Sequence, residues 1–241
     1  MRVIYLKHLT FDIDWAPQWC VEETLELLAR HNVKATYFIT HDCPSLRHIR
    51  SEGHNLGLHP NLLPHSSHGT TPTEAINFLL QLAPEAQVIR THALVQSSPI
   101  LYEIFKSFPQ LKYDLSMLMY GFEHIGKFPW KYDGVNFERI NYNWEDDCAF
   151  FEDAFDWDSV ESTPSTAIYD FHPIHVALNA TSLRPYQDLK KALDGKALTQ
   201  ATRSDVLPLK NKQAGTRTLL SRLLEENQNL ISFEELLKEL K

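Results

Sequence analysis

Short β-branched and aromatic runs alternate with amphipathic helical stretches along nearly the whole chain, and no other feature restricts the fold as strongly. The strand-like runs are "MRVIYLKHLTF" continuing into "LTFDID" (9–14), then "VKATYFIT" (33–40), "NLGLH" (55–59), "QVIRTH" (87–92), "LKYDLSMLM" (111–119), "NFERINYNW" (136–144) and "STAIYDFH" (165–172). Between and after them lie helical patterns. Pro17 opens one in which Val21, Leu25 and Leu28 recur at helical spacing. "PSLRHIRSEG" is a short helix stopped by Gly53. "TPTEAINFLLQLAP" starts with a capping box from Thr71 to Glu74 and Pro72 at its first position. "SPILYEIFKSF" takes Ser98 as its cap, and "GTRTLLSRLLEEN" is a later helix. "NLIS" (229–232) is a last short strand, and "SFEELLKELK" a closing helix with a second box from Ser232 to Glu235. Residues 119–136 and 173–185 read as long loops on a rim.

Such alternation predicts an α/β fold with a parallel sheet. Six to eight strand–helix units in 241 residues fit a (β/α) barrel, whose usual size is about 250 residues. An open doubly wound sheet is the alternative. The length fits a single domain over residues 1–241. No GxGxxG or GxxxxGK[ST] follows the first strand, which counts against a nucleotide site.

With 43% hydrophobic and 22% charged residues the chain is not a disordered one. A net charge of −8 argues against nucleic acid or an anionic membrane as the main partner. No apolar run approaches the roughly 18 residues of a membrane span, and no signal-peptide pattern is visible. Cys20, Cys43 and Cys148 form no CxxC motif and fit reduced thiols in a cytoplasmic protein.

The polar residues inside this apolar pattern fall at strand ends: Asp12 and Asp14, His59, Arg90 and His92, Trp144 with Asp146 and Asp147, and Asp170, His172 and His175. In a parallel α/β fold these ends share one pole. Asp12 and Asp14, at i and i+2 of a strand, would face the same way about 7 Å apart, repelling by about 2.4 kcal/mol at an effective dielectric of 20. A divalent metal would relieve that repulsion, neutralising one aspartate and leaving the other as a base. Carboxylate and imidazole donors suit zinc first, and an open three-ligand site is the catalytic arrangement.

"LTFDID", "VKATYFIT", "HNLGLHP" and "DFHPIHV" resemble the polysaccharide deacetylases of the NodB-homology carbohydrate esterase type, over roughly residues 8–180. The resemblance implies a distorted (β/α) barrel of six to eight parallel strands. It implies a metal-dependent hydrolase, with Zn2+ as the expected ion, that removes an N- or O-linked acetyl group from a sugar or glycan precursor. It casts Asp12 as the base, Asp14 and His59 as metal ligands, and Arg90 as the partner of Asp12. The family's second histidine, four residues after the first on a helical turn, is missing here, and Pro60 disfavours helix at His59. His65 and His68 compete for that role, with His68 favoured. Asp146 or Asp147 would polarise His172, the general acid. His92, Trp144 and His175 are expected to touch substrate, and Trp130, Tyr132 and Tyr142 are further aromatics that could stack on sugar. Two other readings of the same residues are an amidase acting on a non-sugar C–N bond and a catalytically silent carbohydrate-binding homologue.

Overall fold

The computed structural model describes residues 5–226 and 229–240. Its strands are β1 (Lys7–Asp12), β2 (Thr36–Ile39), β3 (Asn55–Leu58), β4 (Val88–Ile89), β5 (Tyr113–Leu118), β6 (Lys127–Tyr132), β7 (Val135–Tyr142), β8 (Trp144–Glu145) and β9 (Ala167–Phe171). Its α-helices are α1 (Gln18–His31), α2 (Ser45–Ser51), α3 (Pro72–Leu82), α4 (Ser98–Ser107), α5 (Asp146–Ala149), α6 (Pro173–Leu178), α7 (Arg184–Ala192), α8 (Arg203–Val206), α9 (Thr216–Glu226) and α10 (Phe233–Glu239). The expected extensions of the first strand over residues 1–4, and of the last two helices onto Asn227 and Lys241, lie outside the described residues.

The strands hydrogen-bond in the order β6-β7-β5-β4-β3-β2-β1-β9-β8. All pairings are parallel except that of β6 with β7. The two ends of this order belong to one stretch of chain, because a single residue, Asn143, separates β7 from β8. The stretch pairs with β5 through Tyr142 and with β9 from Trp144 onward. Asn143 spans the junction. Its Oδ1 accepts the Ile168 N–H at 3.0 Å and its Nδ2 donates to the Thr166 carbonyl at 2.8 Å. The sheet therefore curls back on itself as a distorted barrel, and the open-sheet alternative does not describe it.

Period-two alternation sorts the strand residues between inside and outside. Leu9, Phe11, Tyr37, Ile39, Leu56 and Leu58 pack outward with Val21, Leu25 and Leu28 of α1 and Ile49 of α2. Phe38, Val88, Leu115, Ile140, Tyr142 and Ile168 form an inner cluster with Phe233 and Leu236 of α10, which covers the end where the strands begin. His8, Thr10 and Asp12 are the intervening residues of β1. Gly57 of β3 is a required glycine, since a Cβ there would sit 2.6 Å from the Phe38 ring.

Several local expectations change. Asp14 is not part of β1, which ends at Asp12; Asp14 and Trp15 turn through left-handed φ values of 38° and 55°. The shared-face argument for the two aspartates therefore fails, although both side chains still reach one site. The run "QVIRTH" supplies a strand only at Val88–Ile89. Ser97, not Ser98, caps α4 by accepting the Ile100 N–H. Thr71 caps α3, but the Glu74 carboxylate returns to Thr70 instead of closing the box on Thr71. The box at Ser232 and Glu235 forms in both directions. The supposed loop 119–136 contains β6 and a hairpin turn at Asp133–Gly134, with φ values of 47° and 77°. Asp-Gly is the preferred pair for that turn and was readable in "YDGV". The stretch 173–185 contains α6. "NLIS" reduces to one bridge from Leu230 to Lys7.

His8 is fully buried, donating from Nδ1 to the Ile231 carbonyl at 2.8 Å and facing Thr36 Oγ1 from Nε2 at 3.0 Å. Burial pushes its pKa down to about 4, the Ile231 bond opposing and the charge of Arg90 adding to the fall. An unfolded chain takes up this proton near pH 6.5 while the folded chain refuses it, so stability is lost as pH falls from 6.5 towards 4. Lowering the pH from about 7.5 to about 5 is expected to cost about 2 kcal/mol through His8 alone. Urea unfolding of wild type and His8→Asn at the two pH values checks this: the variant's stability should change less by that amount.

Candidate active site

The C-terminal strand ends gather the polar residues around a cleft of about 140 Å³ lined by Asp12, Asp14, His59, His92, Glu145, Asp147 and His172, among others. Beneath it lies a buried charge network. Arg90 is fully buried, with its guanidinium between the rings of Phe38 and Tyr142, 4.4 and 4.2 Å from their centroids. Its Nη1 donates to Asp12 Oδ1 at 2.9 Å, Asp170 Oδ1 at 2.5 Å and Thr10 Oγ1 at 2.9 Å. The Thr10 hydroxyl also lies 2.9 Å from Asp170 Oδ1. One guanidinium thus faces two acids, and burial pushes the Asp170 carboxyl up against the pull of Arg90.

Above this network three donor atoms converge. Asp14 Oδ1 lies 3.2 Å from His59 Nε2 and 3.1 Å from His92 Nδ1, and the two nitrogens are 3.2 Å apart. Each nitrogen carries at most one proton, so hydrogen bonds can satisfy no more than two sides of this triangle. A cation at its centre satisfies all three. Tetrahedral zinc with donors at about 2.0–2.1 Å separates them by about 3.3 Å, which the triangle matches. Burial works to raise the Asp14 carboxyl, but its hydrogen bonds to His59 and His92 and the neighbouring imidazole charges hold it well below the usual range. Asp14, Trp15, Ala93 and Leu94 all have left-handed φ values, a concentration of backbone strain common at functional sites. Asp12 Oδ2 lies 3.4 Å from His59 Nε2.

On the other side His172 Nε2 is 3.7 Å from Asp14 Oδ2. His172 is the residue before α6, and Asp146, opening α5, holds it twice: Oδ1 is 2.7 Å from its Nδ1 and Oδ2 accepts its backbone N–H at 2.9 Å. Burial alone would lower the His172 pKa. The charges of Asp146 and Asp147 and the Asp146 hydrogen bond reverse this and hold it well above the ordinary imidazole range.

The sequence-derived set is thus partly assembled. Asp12, Asp14, His59, Arg90, His92, Asp146 and His172 come together, and Asp146 rather than Asp147 orients His172. His68 does not join them. Its Nε2 lies 2.7 Å from the Thr40 carbonyl and its Nδ1 accepts the Asn61 N–H at 3.0 Å, so both ring nitrogens are engaged away from the triangle. His65 is exposed. His92, expected at the substrate, stands where the second histidine was sought. Trp144 is not in the cleft; it is core, packed on Phe171 and Tyr169. His175 is buried behind His172. Trp130 and Tyr132 lie with Tyr102 at the β6 hairpin and do not line the cleft, whereas Tyr142 does. Thr10, Glu145 and Asp170 were missed as site residues, although strand-end position marked Asp170.

Acids and imidazoles collected at the C-terminal pole of a parallel barrel place the chain among the α/β enzymes. The sequence pattern of the WbmS-like polysaccharide deacetylases matches residues 9–190. A structure from Bordetella bronchiseptica, provisionally assigned as a polysaccharide deacetylase (WbmS) involved in O-antigen biosynthesis, is 35% identical over 92% of this chain and 90% of that one, with a TM-score of 0.74. The peptidoglycan deacetylase PdaC from Bacillus subtilis (14% identity, 98% and 91% covered, TM-score 0.51) shares the fold. So does a family 4 carbohydrate esterase from Bacillus anthracis (13% identity, 98% and 83% covered, TM-score 0.51). No curated protein matches the chain. The chain belongs to the WbmS-like polysaccharide deacetylase family, whose members are enzymes that deacetylate sugars or glycans.

Removing Arg90 leaves two buried acids unpaired, and Arg90→Met is expected to destabilise the fold by roughly 3–5 kcal/mol. Urea denaturation at neutral pH measures it; a loss below about 1 kcal/mol would mean the network contributes no more than a surface pair.

Proposed function

We propose that this enzyme uses a divalent ion, zinc first among the candidates, held by Asp14, His59 and His92, to remove an acetyl group from a sugar or glycan precursor. The donor triangle carries this reading. The ion, when bound, supplies positive charge that polarises the acetyl carbonyl and acidifies a water. Asp12, oriented by Arg90, takes the proton of the attacking water. His172, cationic and held by Asp146, gives the proton from Nε2 to the departing amine or alkoxide. The left-handed turn at Asp14 and Trp15 sets the Asp14 carboxylate between the two sides.

Residues 1–241 act as one catalytic domain in this reading, supported by the single sheet that unites strands from Lys7 to Phe171 and by the packing of α10 against its inner face. The WbmS relative's association with O-antigen biosynthesis supports an acetamido sugar of a surface polysaccharide, or its nucleotide- or lipid-linked precursor, as the substrate. Cys20, Cys43 and Cys148 are free thiols, which supports a reducing, cytoplasmic setting. No described helix is long and apolar enough to cross a membrane.

Equilibrium dialysis with elemental analysis tests the ligand set. His92→Gln and Asp14→Asn should each lose most of the tightly bound metal, while His68→Gln should keep it. The reverse pattern would restore His68 and reject His92. Acetate release is the activity readout, measured on UDP-N-acetylglucosamine, N-acetylglucosamine oligomers and a lipid-linked acetamido sugar. Asp12→Asn and His172→Gln should each lower turnover by about 10²–10⁴-fold with metal retained. Near wild-type turnover in either variant would remove that residue from the chemistry.

A further inference from the structure

A second group of donors lies behind His172. One ligand atom from each of Asp146, Asp147, His172 and His175 falls within 4.8 Å of every other. The known contacts within the group are short: His172 Nδ1 to Asp146 Oδ1 at 2.7 Å, His175 Nδ1 to Asp146 Oδ1 at 3.4 Å, and His175 Nδ1 to Asp147 Oδ1 at 3.2 Å. A single imidazole nitrogen, His175 Nδ1, thus faces two carboxylates with at most one proton to share. Asp147 Oδ1 is buried and makes no hydrogen bond. Two oxygens and two imidazole nitrogens are a complete tetrahedral set of the kind zinc and its neighbours prefer over magnesium or calcium. The group is not sealed off. Asp147 and His172 both line the catalytic cleft, and the Asp147 side chain is 38% exposed. The third cluster, Asp12, Asp170 and His172, differs because Arg90 already supplies its positive charge.

We propose that Asp146, Asp147, His172 and His175 form a second divalent-cation site, weaker than the Asp14 site, whose filling switches the enzyme off. It is weaker for two geometric reasons. Its four atoms must draw in from as much as 4.8 Å, whereas the triangle already stands at 3.1–3.2 Å. Binding also breaks the Asp146–His172 hydrogen bond. The ion enters as the Nδ1 proton of His172 leaves to solvent. The ring then keeps only its Nε2 proton, and a neutral, metal-bound imidazole N–H is a much weaker acid than imidazolium. The leaving group receives no proton, and turnover stops although the Asp14 site is full. Trace metal would activate the enzyme and excess metal would inhibit it.

The inhibitory half rests on the role proposed above for His172; the binding half does not, and stoichiometry reads it separately. Metal-free protein is titrated with Zn2+ alone by equilibrium dialysis and calorimetry, and acetate release is followed on the substrate that responds in the panel above. Wild type should take two equivalents, the second at least about ten-fold weaker, with turnover falling as the second fills. Asp147→Asn should take the first equivalent normally and bind the second about ten-fold or more weaker, and whatever turnover it shows with one equivalent should not fall at the Zn2+ concentration that inhibits wild type. His175→Gln, read for binding only, should also lose the second equivalent. The proposal is overturned by one equivalent in wild type, by a second equivalent unchanged in both variants, or by one that fills without loss of turnover. Failure of the catalytic reading would show differently, as absence of the tight first equivalent.

Discussion

A guanidinium sealed inside a barrel is the constraint on which the rest of this structure depends. Arg90 cannot shed its charge, so the interior must answer it. Asp12 and Asp170 provide carboxyl oxygens, Thr10 a further acceptor, and Phe38 and Tyr142 two aromatic faces. With Arg90, which follows β4, those residues come from five strands or strand ends, so the network ties together the pole that carries the cleft. Gly57 belongs to the same arrangement at one remove. Its missing side chain leaves room for the Phe38 ring that covers Arg90. Fold and site therefore share residues, and the proposed base is oriented by an element of the core.

Much of the fold was legible because burial on both faces of a parallel strand leaves near-continuous apolar runs. "LTFDID", "VKATYFIT" and "STAIYDFH" stand out for that reason. The elements that were misread are those where local chemistry decides. β6 is an exposed edge strand whose sequence, "KFPWKY", has no clean alternation, and only Asp133–Gly134 announced it. Ser97 and Ser98 are adjacent serines, and composition does not choose between them as a cap. Asp14 sits two residues beyond the end of β1, so a period-two rule was extended past its range.

The site was legible in its members more than in their roles. Strand-end position brought His59, Arg90, His92 and His172 into consideration together. Which imidazole completes the proposed ligand triangle depends on a tertiary turn. His92 follows β4 and is fixed by a backbone bond from its N–H to the Pro60 carbonyl at 3.0 Å. His68, nearer to His59 in sequence, spends both nitrogens on its own loop and on β2's end. The need for the Pro60–Pro64 segment to turn back favoured His68; its hydrogen bonds to Asn61 and Thr40 engage it elsewhere. Trp144 misled in the opposite sense, an aromatic beside acids that belongs to the core.

The stretch from Val135 to Glu145 acts as a hoop that closes the barrel, gripping β5 with residues 138–142 and β9 with its last two residues, with Asn143 as the clasp. The residue that follows the hoop is Asp146, which holds the His172 ring. Tightness of the barrel and aim of the imidazole are therefore mechanically linked. Under the role proposed for His172, a slackened clasp would misdirect its proton.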